Sequence, residues 1–216
     1  MGLFGSKSES GQRLESGRSQ RHSSGWNQLH KHLKSREALR ILDVGPTSAG
    51  NINFVTHLGH SIYMANLVEE ASKPEWSTAD ESADALSLPE DREASAIEGF
   101  LRQNLEFSGR HFDVVILWDT LDYLRQSFVP AVVDRLYDVM EPGGQLLAFF
   151  HAKAPDLPVF SRYHLTDSDH VEMQRVGGHP MLQSYSNRQV EQLFHRFSGH
   201  KFFLAKDALR EVIVTR

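Results

Sequence analysis

Leu39-Arg40-Ile41-Leu42-Asp43-Val44-Gly45 is the stretch that decides the fold of this chain. An apolar strand, Arg40–Val44, runs into an acidic residue and a glycine turn. Pro46-Thr47-Ser48-Ala49-Gly50-Asn51 follows before a helical pattern resumes. Ligand sites of the nucleotide type begin this way in open α/β sheets. The strand delivers the chain to the carboxyl edge of the sheet, and a turn of small residues lets backbone approach a ligand.

Working outward, the next elements alternate in kind. A helix is expected over Ala49–Leu58, with Gly59 as the residue past its end, and then a second strand over His60–Ala65. Before the opening strand, Trp26, Leu29 and Leu33 recur at helical spacing and predict a leading helix over Trp26–Leu39. An acid-rich stretch, residues 69–95, carries Pro74 and Pro89 and reads as a loop with one helical turn; Ala94–Gln103 reads as a helix. Phe112–Trp118 is an apolar run with β-branched residues, the pattern of a strand buried on both faces. A helix over Val129–Met140 and the turn Glu141-Pro142-Gly143-Gly144 lead to a strand over Gln145–His151. Residues 152–185 are rich in Pro and His and read as an insertion, with a short strand at Val171–Val176. A helix over Ser186–Phe197, capped by Ser186 or Asn187, precedes two closing strands, His200–Ala205 and Arg210–Val214. This alternation predicts a doubly wound, mostly parallel sheet with an antiparallel finish.

The 216 residues suffice for one α/β domain. No apolar run reaches the roughly 20 residues of a membrane span. The N-terminus lacks the apolar core of a secretory signal. The chain has no cysteine, which excludes disulfides, thiolate metal ligands and a cysteine nucleophile, and fits a cytoplasmic address. Met1-Gly2-Leu3-Phe4-Gly5-Ser6 matches a myristoylation signal in form; the plainer reading is a short tail. Residues 1–25 hold seven Ser and five Gly and are expected to be disordered. Residues 1–40 carry 8 basic and 3 acidic residues, a net +5, so the rest, with 15 basic and 25 acidic, is at −10. An acidic body argues against a nucleic-acid substrate.

Four landmarks give residues 26–216 a family resemblance. Ile41-Leu42-Asp43-Val44-Gly45 looks like the first motif of the class I S-adenosylmethionine-dependent methyltransferases. The strand and turn Phe112-Asp113-Val114-Val115-Ile116-Leu117-Trp118-Asp119-Thr120-Leu121-Asp122-Tyr123-Leu124 looks like their fourth. Met140-Glu141-Pro142-Gly143-Gly144-Gln145-Leu146-Leu147 resembles the turn and strand that follow, and the closing strand pair resembles the family's reversed seventh strand. The resemblance implies a seven-stranded Rossmann-like sheet with an antiparallel last strand. It also implies S-adenosylmethionine as cofactor and a methyl acceptor, expected to be a small molecule.

The chain departs from the family in two places. The usual Gly-x-Gly-x-Gly is Gly45, Thr47 and Ala49 here. Thr47 either narrows the pocket or adds a hydroxyl, and Pro46 removes one backbone donor. The second strand ends without the usual ribose-binding acid; Asn66 or Glu69 is left for that task, and Asn104 or Gln103 for the adenine.

Each candidate residue has a working role and a plainer one. Asp43 either holds the cofactor's amino group or fixes the glycine turn. Gly45 is a tight-turn glycine beside the cofactor. Ser48 either donates to a carboxylate or caps a helix. Trp118 either stacks on adenine or fills the core. Asp119 and Asp122 serve as general base or cap the next short helix. His151, ending the fifth strand, is the best placed proton carrier. His164, His170 and His179 lie in the insertion with Tyr163 and are candidates for an acceptor pocket. Their spacing matches no metal signature, and no metal is expected.

Two functions follow as expectations. The first is methyl transfer from S-adenosylmethionine, in which the protein chiefly aligns the acceptor. The second is a non-catalytic binding or regulatory module of the same fold with an impaired cofactor site and a protein partner. A dinucleotide-dependent oxidoreductase is disfavoured because Gly-x-Gly-x-x-Gly is missing.

Overall fold

The computed structural model describes residues 17–76, 88–154, 159–203 and 207–216. In chain order the elements are β1 (Arg18–His22), α1 (Ser24–Lys34), β2 (Arg40–Asp43), α2 (Ala49–His57), β3 (Ser61–Met64), α3 (Leu67–Ala71), α4 (Pro89–Asn104), β4 (Phe112–Trp118), α5 (Val129–Asp138), β5 (Met140–His151), β6 (Phe160–His164), β7 (His170–Gly177), α6 (Asn187–Leu193), β8 (Ser198–Phe203) and β9 (Leu209–Thr215). Among the described residues the main sheet has six strands, in the order β3-β2-β4-β5-β9-β8, where seven were expected. Strands β3, β2, β4 and β5 run parallel, β9 is antiparallel to β5, and β8 is antiparallel to β9. The last strand is therefore the reversed one, as the sequence implies.

Each central strand feeds both faces of the sheet because successive side chains point to opposite sides. Ile41, Val114, Ile116, Leu147, Phe149 and Ile213 meet Trp26, Leu29 and Leu33 of α1 on one face. Leu42, Val115, Leu117, Leu146, Phe150 and Val212 meet Phe100, Val132, Val133 and Leu136 on the other. Full burial of such a side chain contributes about 1.5–3 kcal/mol, so these two layers fix strand order and register. Helix α1 begins at Ser23, whose hydroxyl accepts from Trp26 N at 3.0 Å. Gly25 lets α1 lie on the sheet; a Cβ there would stand 2.7 Å from Leu147 Cδ1. Gly59, at φ +82°, follows α2 in the left-handed conformation that glycine adopts freely.

Three further expectations are corrected. The tail was expected to be disordered through residue 25, yet β1 is a strand paired antiparallel with β7, from Arg18↔Gln174 to His22↔His170. Sequence composition could not show the open edge of β7 that takes it. Nor could it show the buried Arg21–Glu211 ion pair, 5% and 1% exposed, that anchors it. Residues 1–16, with the myristoylation match, lie outside the described residues. The second correction concerns residues 152–185. The insertion holds two strands rather than one: β6 and β7 form a hairpin, and with β1 make a three-stranded antiparallel sheet, β1-β7-β6. The single strand expected at Val171–Val176 is β7. Helix α4 also begins earlier than expected, at Pro89, because proline suits the first helical turn.

Candidate cofactor site

Strands β2 and β4 end side by side, which brings Asp43 and Trp118 together. Trp118 has φ +51°, a backbone conformation that a bulky residue rarely adopts. That turn lays its indole across the strand ends. Nε1 donates to Asp43 Oδ1 at 2.7 Å, and Asn51 Nδ2 lies 3.4 Å from Oδ2. A Cβ on Gly45 would sit 3.0 Å from Trp118 Cδ1, so the close approach that Gly45 permits is taken by the chain's own indole. Tyr163 of β6 stacks on the indole at 4.8 Å and 7°, and its hydroxyl donates to Asp119 Oδ2 at 2.8 Å.

Asp43 is 1% exposed. Burial pushes its carboxyl up, against the pull of hydrogen-bonding neighbours Thr47, Trp118 and Asn51. Thr47 Oγ1 is itself buried beside this carboxylate without a hydrogen bond of ordinary geometry. The loop after β2 is laced to the hairpin above it. Arg162 Nε donates to Pro46 O at 3.2 Å, and Ser48 Oγ lies 3.0 Å from His164 Nδ1. Asn51 donates to Tyr163 O and accepts from Leu165 N, each at 2.9 Å. Ser48 also caps α2, accepting from Asn51 N. Sequence reading missed Asn51 and Arg162; a polar residue at a helix start carries no mark of the strand that will dock on it.

Asp119, Asp122 and His151 come together at the carboxyl ends of β4 and β5, as the sequence suggests. Asp122 Oδ2 accepts from the backbone N of His151 at 2.7 Å and lies 2.8 Å from its Nδ1. His151 Nε2 stands 3.9 Å from Asp119 Oδ2. Asp119 Oδ1 and Asp122 Oδ1 are buried without partners among the described residues. Burial, with the nearby charge of Asp122, raises the Asp119 carboxyl to about 6 although His151 and Tyr163 oppose it. Burial alone would lower His151, but the hydrogen bond to Asp122 and the two carboxylates raise it above its ordinary value. Asp122 is also pushed up by burial. His151, Tyr123, Ser161, Met173 and Arg175 line a cavity of about 470 Å³ between the two sheets. The group can hold and move a proton at that opening.

The other candidates are occupied elsewhere. Asn66 Oδ1 caps α3 through Glu69 N at 3.5 Å. Glu69 Oε2 lies 3.4 Å from His179 Nε2. Asn104 donates to Phe100 O within its own helix, and Gln103 lies exposed beside Glu75. Trp118 fills the strand-end space rather than offering a free face for adenine, because Tyr163 covers it. None of the three insertion histidines lines the cavity: His164 is held by Ser48 and Gln174, His179 lies against Glu69 and Phe160, and His170 packs against His22.

The methionine end of S-adenosylmethionine does not fit this arrangement. An ammonium seeking Asp43 and a chain seeking the backbone of Gly45 both meet the Trp118 indole.

A search of curated proteins finds no match. Among solved structures the chain is similar to DesVI from Streptomyces venezuelae, at 13% identity and a TM-score of 0.50, covering 89% of this chain and 91% of that one. It is similar to 1,6-didemethyltoxoflavin-N1-methyltransferase from Burkholderia thailandensis, at 14% identity and a TM-score of 0.47, covering 89% and 76%. It is also similar to an S-adenosylmethionine-dependent methyltransferase from Mesorhizobium loti, at 14% identity and 0.46, covering 89% and 98%. A family model described as a methyltransferase domain matches residues 17–198. The strand order, the reversed last strand and this match agree: the chain belongs to the class I methyltransferase-domain family.

Proposed function

We propose that this chain uses the methyltransferase fold as a binding module, with its cofactor site filled by its own side chains. The observation that carries this reading is the hydrogen bond from Trp118 Nε1 to Asp43 Oδ1 at 2.7 Å. A cofactor ammonium would have to displace it, and the cofactor chain would have to move an indole stacked beneath Tyr163. Breaking that arrangement exposes a buried carboxylate and removes an aromatic stack. Such a stack alone is worth about 0.5–1.5 kcal/mol beyond its area. Thr47, Ala49 and Asn66, which replace the family's usual residues, support the same reading from the sequence.

A second reading, methyl transfer to a small-molecule acceptor, is favoured by one observation. His151 is held by Asp122 beside a cavity of ligand size, as an acceptor-deprotonating base would be. It requires the indole to swing away from Gly45 first. Calorimetric titration with S-adenosylmethionine and, separately, S-adenosylhomocysteine decides between the two. The binding-module reading expects no saturable heat at high micromolar ligand. Micromolar binding of either compound overturns it in favour of methyl transfer.

A further inference from the structure

We propose that His22, Asp169 and His170 form a divalent metal site of the zinc type, which clips β1 to β7 at the end of the three-stranded sheet. The two histidines are direct partners across the β1–β7 pairing, although they are far apart in sequence. Their rings meet edge to face at 5.4 Å and 75°. Asp169 stands between them: His22 Nδ1 lies 3.3 Å from its Oδ2, and His170 Nδ1 lies 2.6 Å from its Oδ1. One donor atom from each residue falls within 4.8 Å of the others. In a tetrahedral zinc site with bonds of about 2.0–2.1 Å, neighbouring ligand atoms are about 3.3 Å apart. Small side-chain rotations therefore bring the three to coordination distance, with no movement of backbone.

The surroundings prepare the ligands. Ser24 Oγ lies 3.3 Å from His22 Nε2. A proton held on Nε2 by that hydroxyl leaves the Nδ1 lone pair turned toward Asp169, the arrangement that outer partners impose on metal-binding histidines. On the other side, Ser168 Oγ accepts from His170 N at 3.2 Å and Ser23 N donates to Asp169 O at 2.9 Å, so the turn carrying Asp169 is tied to β1. The side chains are 56%, 45% and 40% exposed, which leaves water free to supply the fourth ligand. Two imidazoles and one carboxylate suit zinc and its borderline neighbours, whereas Mg²⁺ and Ca²⁺ prefer oxygen throughout. A bound ion joins two strands that lie far apart in the sequence. It thereby stiffens the sheet that carries Tyr163 over Trp118.

The test is calorimetric titration of the full chain with Zn²⁺, and with Mg²⁺ as a contrast, alongside thermal unfolding with and without Zn²⁺. The expected result is one saturable Zn²⁺ site with no Mg²⁺ counterpart, and a rise in unfolding temperature that a chelator reverses. His22→Ala and His170→Ala should each abolish that site. Ser24→Ala, which keeps all three ligands, should weaken it about tenfold. His195→Ala, an exposed histidine outside the cluster, should leave it unchanged. No saturable Zn²⁺ binding below millimolar concentration overturns the proposal. So does a site of equal strength in His22→Ala and the unaltered chain.

Discussion

At the scale of single residues, two buried groups carry the account. Trp118 gives Asp43 a donor, and the pair closes the loop that Gly45 begins. Trp118→Phe keeps a ring but removes that donor, leaving a buried carboxylate oxygen short of a partner. The loss is expected to be about 1–3 kcal/mol in urea unfolding. Sequence reading had placed Asp43, Gly45 and Trp118 correctly at one sheet edge, because strand ends are legible from apolar runs. It could not show that they would satisfy one another, because that depends on a positive φ at Trp118. The pH response follows from Asp119 and His151. Asp119 titrates near 3.8 when unfolded and at about 6 when folded, so the folded state binds the extra proton between those values. Stability therefore falls as pH rises through that window. His151 is also raised, so its contribution is complete below 6.5 and is lost as pH climbs through its folded value. Both act in one direction, as do the raised carboxyls of Asp43 and Asp122. Asp119→Asn should flatten the acid part of the slope in unfolding midpoints measured against pH.

At the scale of elements, β1 and the β6–β7 hairpin explain why the site is covered. Glu211 of β9 is 1% exposed and holds three partners from the start of the fold: Arg21, Ser23 and the backbone N of Gly25. Arg21 also reaches Asp207 at 2.7 Å. Breaking a buried pair costs up to about 3–5 kcal/mol, and without Glu211 the buried Arg21 keeps only the half-exposed Asp207. Glu211→Ala is therefore expected to lower stability by about that amount in denaturant unfolding, and to loosen β1 ahead of the main sheet in hydrogen exchange. Little of this was legible beforehand. The Ser- and Gly-rich composition before Trp26 pointed to disorder, and β1 is ordered only because distant β7 and β9 receive it. The helices and parallel strands, by contrast, were readable. Their apolar spacing is local, and Ser186 caps α6 through a complete capping box, as a serine before a helical run suggests.

At the scale of the whole molecule, a methyltransferase-type sheet carries a second, smaller antiparallel sheet at the cofactor end. The large sheet was legible because each strand is a short apolar run between turn signals. Of the small one only β7 was legible, because β1 joins it from far away in the sequence and β1 and β6 are not apolar enough to announce themselves. Its packing converts the expected open crevice into a stack of Tyr163 on Trp118 on Gly45. The cavity that remains lies beside His151 and Tyr123. The most direct test follows the Trp118 indole N–H by nuclear magnetic resonance while S-adenosylhomocysteine is added. The account predicts a resonance that exchanges slowly with solvent and does not move at millimolar ligand, because the hydrogen bond to Asp43 persists. A saturable shift of that resonance, with loss of its protection from exchange, would show the indole giving way to the cofactor and would contradict the account.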